Sequence, residues 1–202
     1  ALTNIITNRK DGKDLYVTNN GKITADVIID ASGSLAHVAR LRGGHQGDDQ
    51  VPTIYAQVSG EIPESFDIFL GAIAPMGYAW IIPKGEGFAN VGIGVKAGAM
   101  KGVLKEHLKK FCDELNLTIH SWGGGWIPMG GPVKNLVKDN VLAVGDAGGL
   151  VMPSNGGGIS QAIMSGFYAG ETIIQHFNSG MELQNYHRIT MNVMGKSLKT
   201  SL

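Results

Sequence analysis

The sequence predicts a mixed α/β chain in which a layered part built on parallel strands is interrupted by an antiparallel sheet carrying one helix. Three observations point to it. Residues 141–166 pass from a short apolar strand through an acidic turn into a helix led by glycines. Residues 53–95 hold four strand-like runs separated by Pro/Gly turns, the pattern of an antiparallel sheet. Residues 1–30 show short runs broken at Asp11-Gly12 and Asn20-Gly21, which read as a β-meander. At 202 residues the chain can bury a sizeable core and hold one or two domains.

Taken in order, the meander comprises Asn4 to Thr7, Asp14 to Thr18 and a third strand through Val27 to Ile29. Thr53 to Ser59, Ile68 to Ile73, Tyr78 to Ile82 and Phe88 to Val95 follow as strands of the antiparallel sheet. A helix is expected from about Ala99 to Leu115, with Leu104, Leu108, Phe111 and Leu115 on its apolar stripe beside Cys112. Leu117 to Trp126 returns as a strand and a glycine-rich loop. The thirty glycines fall at turns, at close approaches and along one helix, not in a low-complexity tract.

The segment Val141-Leu-Ala-Val-Gly145-Asp146 carries the first functional signal. Val141 to Val144 is an apolar run suited to a buried parallel strand, and Gly145 permits a tight turn at its carboxyl end. Asp146 then sits where open α/β sheets bind ligands, and its acceptor-only carboxylate suits a sugar or ribityl hydroxyl. Gly156, Gly157 and Gly158 let a flat ring approach the backbone. The helix starting near Ile159 aims unpaired N–H groups and a positive dipole end at that ring. Many α/β proteins combine a strand, a Gly-Asp turn and glycines in a generic anion site. Here the Gly-Asp-Ala turn, Pro153, the glycine triplet and the small-residue helix arrive in one order, and together they read as a flavin-dinucleotide site.

This segment resembles the second FAD-binding motif of the glutathione-reductase-type flavoproteins of the hydroxylase branch, most closely the geranylgeranyl reductases, which saturate isoprenoid double bonds. Two other segments agree. Ala25-Asp-Val-Ile-Ile-Asp30-Ala-Ser32-Gly33, with Arg40 beyond it, resembles that family's strand and Asp-Gly turn; Ser32 stands where the family usually has Asp, and Ala36 where it usually has Ser. Tyr78-Ala-Trp80-Ile-Ile82-Pro83-Lys84-Gly85, followed by Gly92-Ile-Gly94, resembles the family's Tyr-x-Trp-x-Phe-Pro…Gly-x-Gly motif, with Ile82 in place of Phe. Alternation puts Tyr78, Trp80 and Ile82 on one face of a strand, a large apolar wall with a phenol and an indole at its margins. Such a stripe on a strand is more often simply core; beside a flavin motif, the wall of a hydrocarbon cavity is the better reading.

The resemblance implies a partial FAD-binding, three-layer Rossmann-like domain plus an antiparallel-sheet substrate domain. Residues 1–47 and 129–180 would belong to the FAD-binding domain, residues 48–128 to the substrate domain, and residues 181–202 would begin a C-terminal helical extension. Trp122-Gly-Gly-Gly-Trp-Ile-Pro128 resembles the Gly-x-Ile-Pro segment leading back to the cofactor domain. The family's opening Gly-x-Gly-x-x-Gly strand–turn–helix is not found here, so the chain reads as an internal piece of a protein about twice this length.

FAD binding is expected at Gly33, Gly145, Asp146, Gly156, Gly157, Gly158 and Ile159, and the isoprenoid at Tyr78, Trp80, Ile82 and Pro83. The implied reaction is two-electron reduction of an isolated carbon–carbon double bond, with hydride from the flavin N5 and electrons from a reduced nicotinamide or a ferredoxin. No proton donor is evident; His37 and Tyr78 are titratable groups beside the matched segments. A monooxygenase or halogenase on the same cofactor fold is the alternative enzyme, and a non-catalytic piece the alternative outside enzymes. The Tyr-x-Trp-x-Ile-Pro…Gly-x-Gly stretch favours the reductase.

Composition excludes other classes. The formal net charge is zero without a basic cluster, which gives nucleic acid no footprint. The single cysteine rules out an intrachain disulfide framework or an iron–sulfur cluster held by this chain alone. The six histidines lack metal-ligand spacing. With no apolar run long enough to span a bilayer and no signal peptide, a cytoplasmic chain is expected, touching a membrane surface peripherally to reach lipid.

Overall fold

A computed structural model of the chain describes residues 2–6, 14–41 and 49–200. Thr7, the Asp11-Gly12 turn and Gly43 lie outside the described residues. The element order is β1 (Leu2–Ile6), β2 (Asp14–Thr18), β3 (Gly21–Ala25), β4 (Ile28–Asp30), α1 (His37–Leu41), β5 (Gln50–Ser59), β6 (Asp67–Phe69), β7 (Gly77–Gly85), β8 (Phe88–Val95), α2 (Leu104–Glu114), β9 (Thr118–Pro128), β10 (Val137–Lys138), β11 (Val141–Ala143), α3 (Ile159–Ser179) and α4 (Gln184–Thr200). The chain forms two compact units, one of residues 50–127 and one of residues 1–49 with 128–202.

In the unit of residues 1–49 and 128–202, β1, β2 and β3 form the antiparallel meander. The expected single strand through Val27 to Ile29 is here two strands. The chain leaves the meander after Ala25, bends at Asp26 and Val27, and enters β4, which pairs in parallel with β11 in a different sheet. Asn140 fixes this exit: its side chain donates to the carbonyls of Ala25 and Asp26, and its carbonyl accepts the N–H of Ile28 at 2.9 Å. Tyr16, fully buried, donates its hydroxyl to Asn140 Oδ1 at 3.1 Å. The second sheet has the order β10-β11-β4, and all of Val141, Leu142 and Ala143 are buried, as a strand covered on both faces requires.

Residues 181–202, expected to start an extension, supply α4, which packs into the same core. Tyr186, Met194 and Leu198 join Leu136, Leu142, Val144 and Leu150 there, together with Ala169 of α3. The outer face of α3 carries exposed Ile163, Phe167 and Ile174.

The unit of residues 50–127 is a five-stranded sheet of order β6-β7-β8-β5-β9, its β6–β7, β7–β8 and β8–β5 pairs antiparallel. Helix α2 covers one face. Leu108, Phe111 and Cys112 meet Ala56, Val58, Ala79, Ile81, Val91 and Ile93, and burial of a leucine or phenylalanine side chain there is worth roughly 1.5–3 kcal/mol. The helix begins later than Ala99, because Gly98 and Gly102 adopt left-handed φ of +80° and +88° and hold the preceding residues in turns. Leu115, expected on the buried stripe, is the half-exposed C-cap residue. The strand expected from Ile68 to Ile73 ends at Phe69 and gives way to turns. The glycine-rich stretch expected as a loop is instead part of β9.

Candidate functional site

Parallel pairing of β4 with β11 brings two turns side by side at the carboxyl ends of adjacent strands. The register Ala143↔Asp30 continues into a hydrogen bond from the Val144 N–H to the Asp30 carbonyl at 3.1 Å. Carboxyl ends of parallel strands are where such sheets bind ligands.

The first turn is organised by Asp30, which is 1% exposed. One carboxylate oxygen accepts from the Ser32 N–H at 3.1 Å and the Ser32 hydroxyl at 2.5 Å; the other accepts from the Val38 N–H at 3.0 Å. Ser32 Oγ in turn accepts the His37 N–H at 2.8 Å. Ser32 and Asp30 thus cap α1 together, and Gly33, at φ +70°, lies on the turn between them and the helix. His37 is exposed at the start of α1.

The second turn is a 3₁₀ turn over Gly145–Gly148. Gly145 has φ +52°, and a Cβ there would sit 3.0 Å from the Cβ of Ala162, so glycine serves both the left-handed turn and the approach of α3. Asp146 follows, half-buried, and burial raises its carboxyl above the ordinary aspartate range. The chain then loops back: the Met152 carbonyl accepts the Gly156 N–H at 2.8 Å, and the Met152 N–H donates to the Gly157 carbonyl at 2.8 Å. This loop brings Gly158 against Asp146, and a Cβ on Gly158 would lie 3.2 Å from the Asp146 carboxylate. Helix α3 starts at Ile159 on Gly158, with no side chain capping it. Its first-turn N–H groups, lacking carbonyl partners within the helix, are donors beside the half-exposed carboxylate. Gly33, Gly145, Asp146, Gly156, Gly157, Gly158 and Ile159 therefore all lie on these two turns and the helix start they lead into.

In the other unit, antiparallel register explains the Gly-x-Gly segment. Residues directly opposite one another point to the same side, and Ile68↔Trp80, Trp80↔Gly92 and Tyr55↔Gly92 form one cross-strand row on the face away from α2. Tyr78↔Gly94↔Thr53 forms the next row and Ile82↔Asn90↔Gln57 the one on the other side. Trp80 lies down across Gly92, where a Cβ would come within 2.8 Å of its Cη2. Its Nε1–H donates to Asn90 Oδ1 at 2.8 Å, and its ring centroid is 5.7 Å from that of Tyr78. Tyr55 lies across Gly123 of β9 in the same way, a Cβ there coming within 2.6 Å of its Cε2. The result is a low apolar face of Tyr55, Ile68, Tyr78, Trp80 and Ile82. Burial raises the Tyr78 phenol, so it stays neutral near pH 7. Pro83 departs from expectation: alternation puts it with buried Ala79 and Ile81 on the α2 side, so it does not join Tyr78, Trp80 and Ile82.

The family profile described as geranylgeranyl reductase catalytic domain matches residues 51–122, the span that contains this face. Digeranylgeranylglycerophospholipid reductase 2 of Methanosphaera stadtmanae is 34% identical over 96% of this chain and 52% of its own length. The chain is thus similar to geranylgeranyl reductases over nearly its whole length. The corresponding reductase 2 of Methanothermobacter thermautotrophicus is also 34% identical, over 90% of this chain and 50% of its own. Among solved structures, a geranylgeranyl bacteriochlorophyll reductase-like protein from Thermoplasma acidophilum superposes with a TM-score of 0.86 at 26% identity, over 99% of this chain and 55% of that one. CmlS, a flavin-dependent halogenase, shares the fold with a TM-score of 0.74 at 15% identity, over 99% of this chain and 40% of that one. The chain thus spans about half the length of the curated relatives it matches.

Several residues that bear on the site went unselected in the sequence. Asp30 sat in view at a strand end, but its capping role depends on Ser32 and Val38 folding back to it. Tyr55, Asn90 and Gly123 matter through cross-strand neighbours, which local pattern does not specify. Among the described residues no group of three or more His, Cys, Asp or Glu is placed to hold a metal ion, and no helix is long and apolar enough to cross a membrane.

Proposed function

We propose that this chain contributes the FAD site and the isoprenoid-binding face of a reductase that saturates carbon–carbon double bonds in the geranylgeranyl chains of a digeranylgeranylglycerophospholipid. The observation that carries the reading is the pair of turns at the ends of β4 and β11, with a half-exposed carboxylate, a glycine loop and an uncapped helix start brought together. This donor set fits a flavin dinucleotide. Asp146 would accept from ribityl hydroxyls, Gly33 would supply bare backbone beside the cofactor at the neighbouring strand end, and Gly156, Gly157 and Gly158 would leave room for a flat ring. The N–H groups from Ile159 onward would hold the electron-rich edge of that ring, since a helix start favours negative charge. A Cβ at Gly158 would crowd the Asp146 carboxylate, which supports keeping that position bare for a ligand.

A reduced flavin held there would supply the two electrons that saturate the alkene. The chain's own residues do the remaining work. Tyr55, Ile68, Tyr78, Trp80 and Ile82 offer the prenyl chain a continuous apolar surface, and Trp80 is fixed in position by Asn90 and by the bare backbone of Gly92. Transfer of hydrocarbon from water to such a surface is favourable by roughly 25 cal/mol per Å². On that face the Tyr78 hydroxyl, neutral near pH 7, would be a group able to hand over a proton. The electron donor is a reduced nicotinamide or a ferredoxin, and the enzyme works in the cytoplasm, making peripheral contact with the membrane that holds its substrate.

The test uses the protein expressed at its full encoded length. Its visible absorption spectrum should show FAD, released intact on denaturation, and anaerobic reduction followed by addition of a geranylgeranyl ether lipid should reoxidise the flavin. Trp80→Ala should lower prenyl-lipid reduction at least tenfold while leaving flavin content near that of the wild type. Loss of flavin in that variant, or a wild type that takes up no FAD, would overturn the assignment.

A further inference from the structure

The Gly145–Gly148 turn is held from below by side chains of two helices that do not reach the ligand side. At the end of β11 the Ala143 N–H and Val144 N–H are used within the sheet layer, by the Leu136 and Asp30 carbonyls. The next two backbone groups, the Ala143 carbonyl and the Gly145 N–H, are satisfied by side chains instead. Tyr186 of α4 donates its hydroxyl to the Ala143 carbonyl at 2.7 Å, and Ser165 of α3 accepts the Gly145 N–H at 3.0 Å. Both side chains are fully buried. Ser165 is itself oriented, donating to the Ala162 carbonyl one turn earlier at 3.1 Å, which leaves its lone pairs aimed at Gly145. Burial pushes the Tyr186 phenol far above its ordinary range, the Thr190 and Ser165 hydroxyls acting weakly the other way, so it remains a donor at every working pH.

From this geometry we infer that Ser165 and Tyr186 are positioning residues for Asp146: a two-point clamp that sets where its carboxylate presents itself to the cofactor. The inference rests on the FAD reading of the same turn. Asp146 is one residue beyond the clamped Gly145 N–H, and Gly145 sits in a left-handed conformation that this hydrogen bond helps to select. Freed of the clamp, the turn samples other orientations, and only the fraction with Asp146 correctly placed binds FAD, so the apparent affinity falls by that fraction. The clamp also gives α4 a reason to be packed in this unit, since its Tyr186 reaches the strand end that the turn grows from.

The experiment compares wild type, Ser165→Ala, Tyr186→Phe and the conservative Ser165→Thr in the protein at its full encoded length. Two readouts are taken well below the melting temperature: amide hydrogen exchange in residues 143–149 without FAD, and the FAD dissociation constant by flavin-fluorescence titration. Ser165→Ala and Tyr186→Phe are each expected to speed exchange at Gly145 and to weaken FAD binding about tenfold, equivalent to about 1.4 kcal/mol. Ser165→Thr, which keeps the hydroxyl, restores both. A role in stability alone would lower the melting temperature while leaving exchange at the turn and the dissociation constant of the folded protein unchanged, and that result overturns the clamp. If the wild type binds no FAD, the flavin reading falls and the inference falls with it. FAD bound equally by wild type and both variants overturns the inference alone. Tyr186→Phe removes one oxygen from a packed ring, so it keeps the test decisive should Ser165→Ala fold poorly.

Discussion

Replacing Gly92 by alanine tests the aromatic face at its most constrained point. An ideal Cβ at Gly92 would come within 2.8 Å of Trp80 Cη2 and nearer still to Cζ2 and Cε2, so the indole must swing off the strand. That movement breaks the 2.8 Å hydrogen bond to Asn90 and the ring contact with Tyr78 at 5.7 Å. The hydrogen bond is worth about 1 kcal/mol net and the ring pair about 0.5–1.5 kcal/mol, so Gly92→Ala should cost about 2 kcal/mol, within the usual range for overpacking. The diagnostic quantity is the coupling. With Trp80 already truncated to alanine the three atoms nearest a Cβ at Gly92 are gone, and the same Gly92→Ala change should then cost less than about 0.5 kcal/mol. Urea unfolding followed by far-UV circular dichroism, which does not depend on the indole, gives all four corners of the cycle. An equal cost in both backgrounds would show that the glycine answers to strand geometry and not to Trp80, and would remove the packing argument for the Gly-x-Gly segment.

Two further outcomes follow from titrating groups. Because burial raises the folded pKa of Asp146, its contribution to stability is present below the unfolded aspartate value and is lost as pH rises through the folded one. Asp146→Asn does not titrate, so its urea midpoint should gain on that of wild type as pH rises above the ordinary aspartate range, while FAD binding weakens; a pH-independent difference would contradict this. The Cys112 thiol is pushed up to about 11, by burial first and the Asp113 charge second, with Lys109 opposing. Only about a thousandth is thiolate at pH 8, so Ellman's reagent should leave the native protein untouched and titrate one thiol after unfolding; stoichiometric labelling within minutes in the native state would refute it.

What could be read in the sequence was what neighbouring residues decide. β2 runs from Asp14 to Thr18 as expected because a short β-rich run meets an Asn-Gly turn, and α3 starts at Ile159 because three glycines precede it. β11 was legible as an apolar run too short for a helix, and it pairs in parallel as a buried strand should. The failures are non-local. Residues 21–30 read as one strand, and what divides them is the distant Asn140 and the pairing of β4 with β11. The Gly123 stretch read as loop because glycine is poor in strands, yet Tyr55 of the neighbouring strand lies on the space it leaves. α4 carries a polar sequence with few large apolar residues, and its place in the core depends on Tyr186, Met194 and Leu198 meeting residues from Leu136 to Leu150.

The two aspartates at the ends of β4 and β11 show how one location yields two chemistries. Asp30 and Ala143 are register partners, and Asp146 follows three residues beyond, in the turn at the end of the adjacent strand. Asp30 is sealed in, and its two oxygens take three hydrogen bonds from the residues that follow it, two of them from Ser32. A carboxylate at position 32 in place of Ser32 would face Asp30 across the 2.5 Å contact that the hydroxyl now fills, and like charges at that distance disfavour ionisation of both. In this chain the first turn is therefore committed to capping α1. Asp146, half-exposed and one residue beyond a glycine held by Ser165, retains a face for solvent or ligand. Under the proposed function, this division would put recognition of hydroxyls on the second turn and leave the first to supply backbone and shape, so that Asp146 and not Asp30 is the carboxylate whose loss should be felt in cofactor affinity.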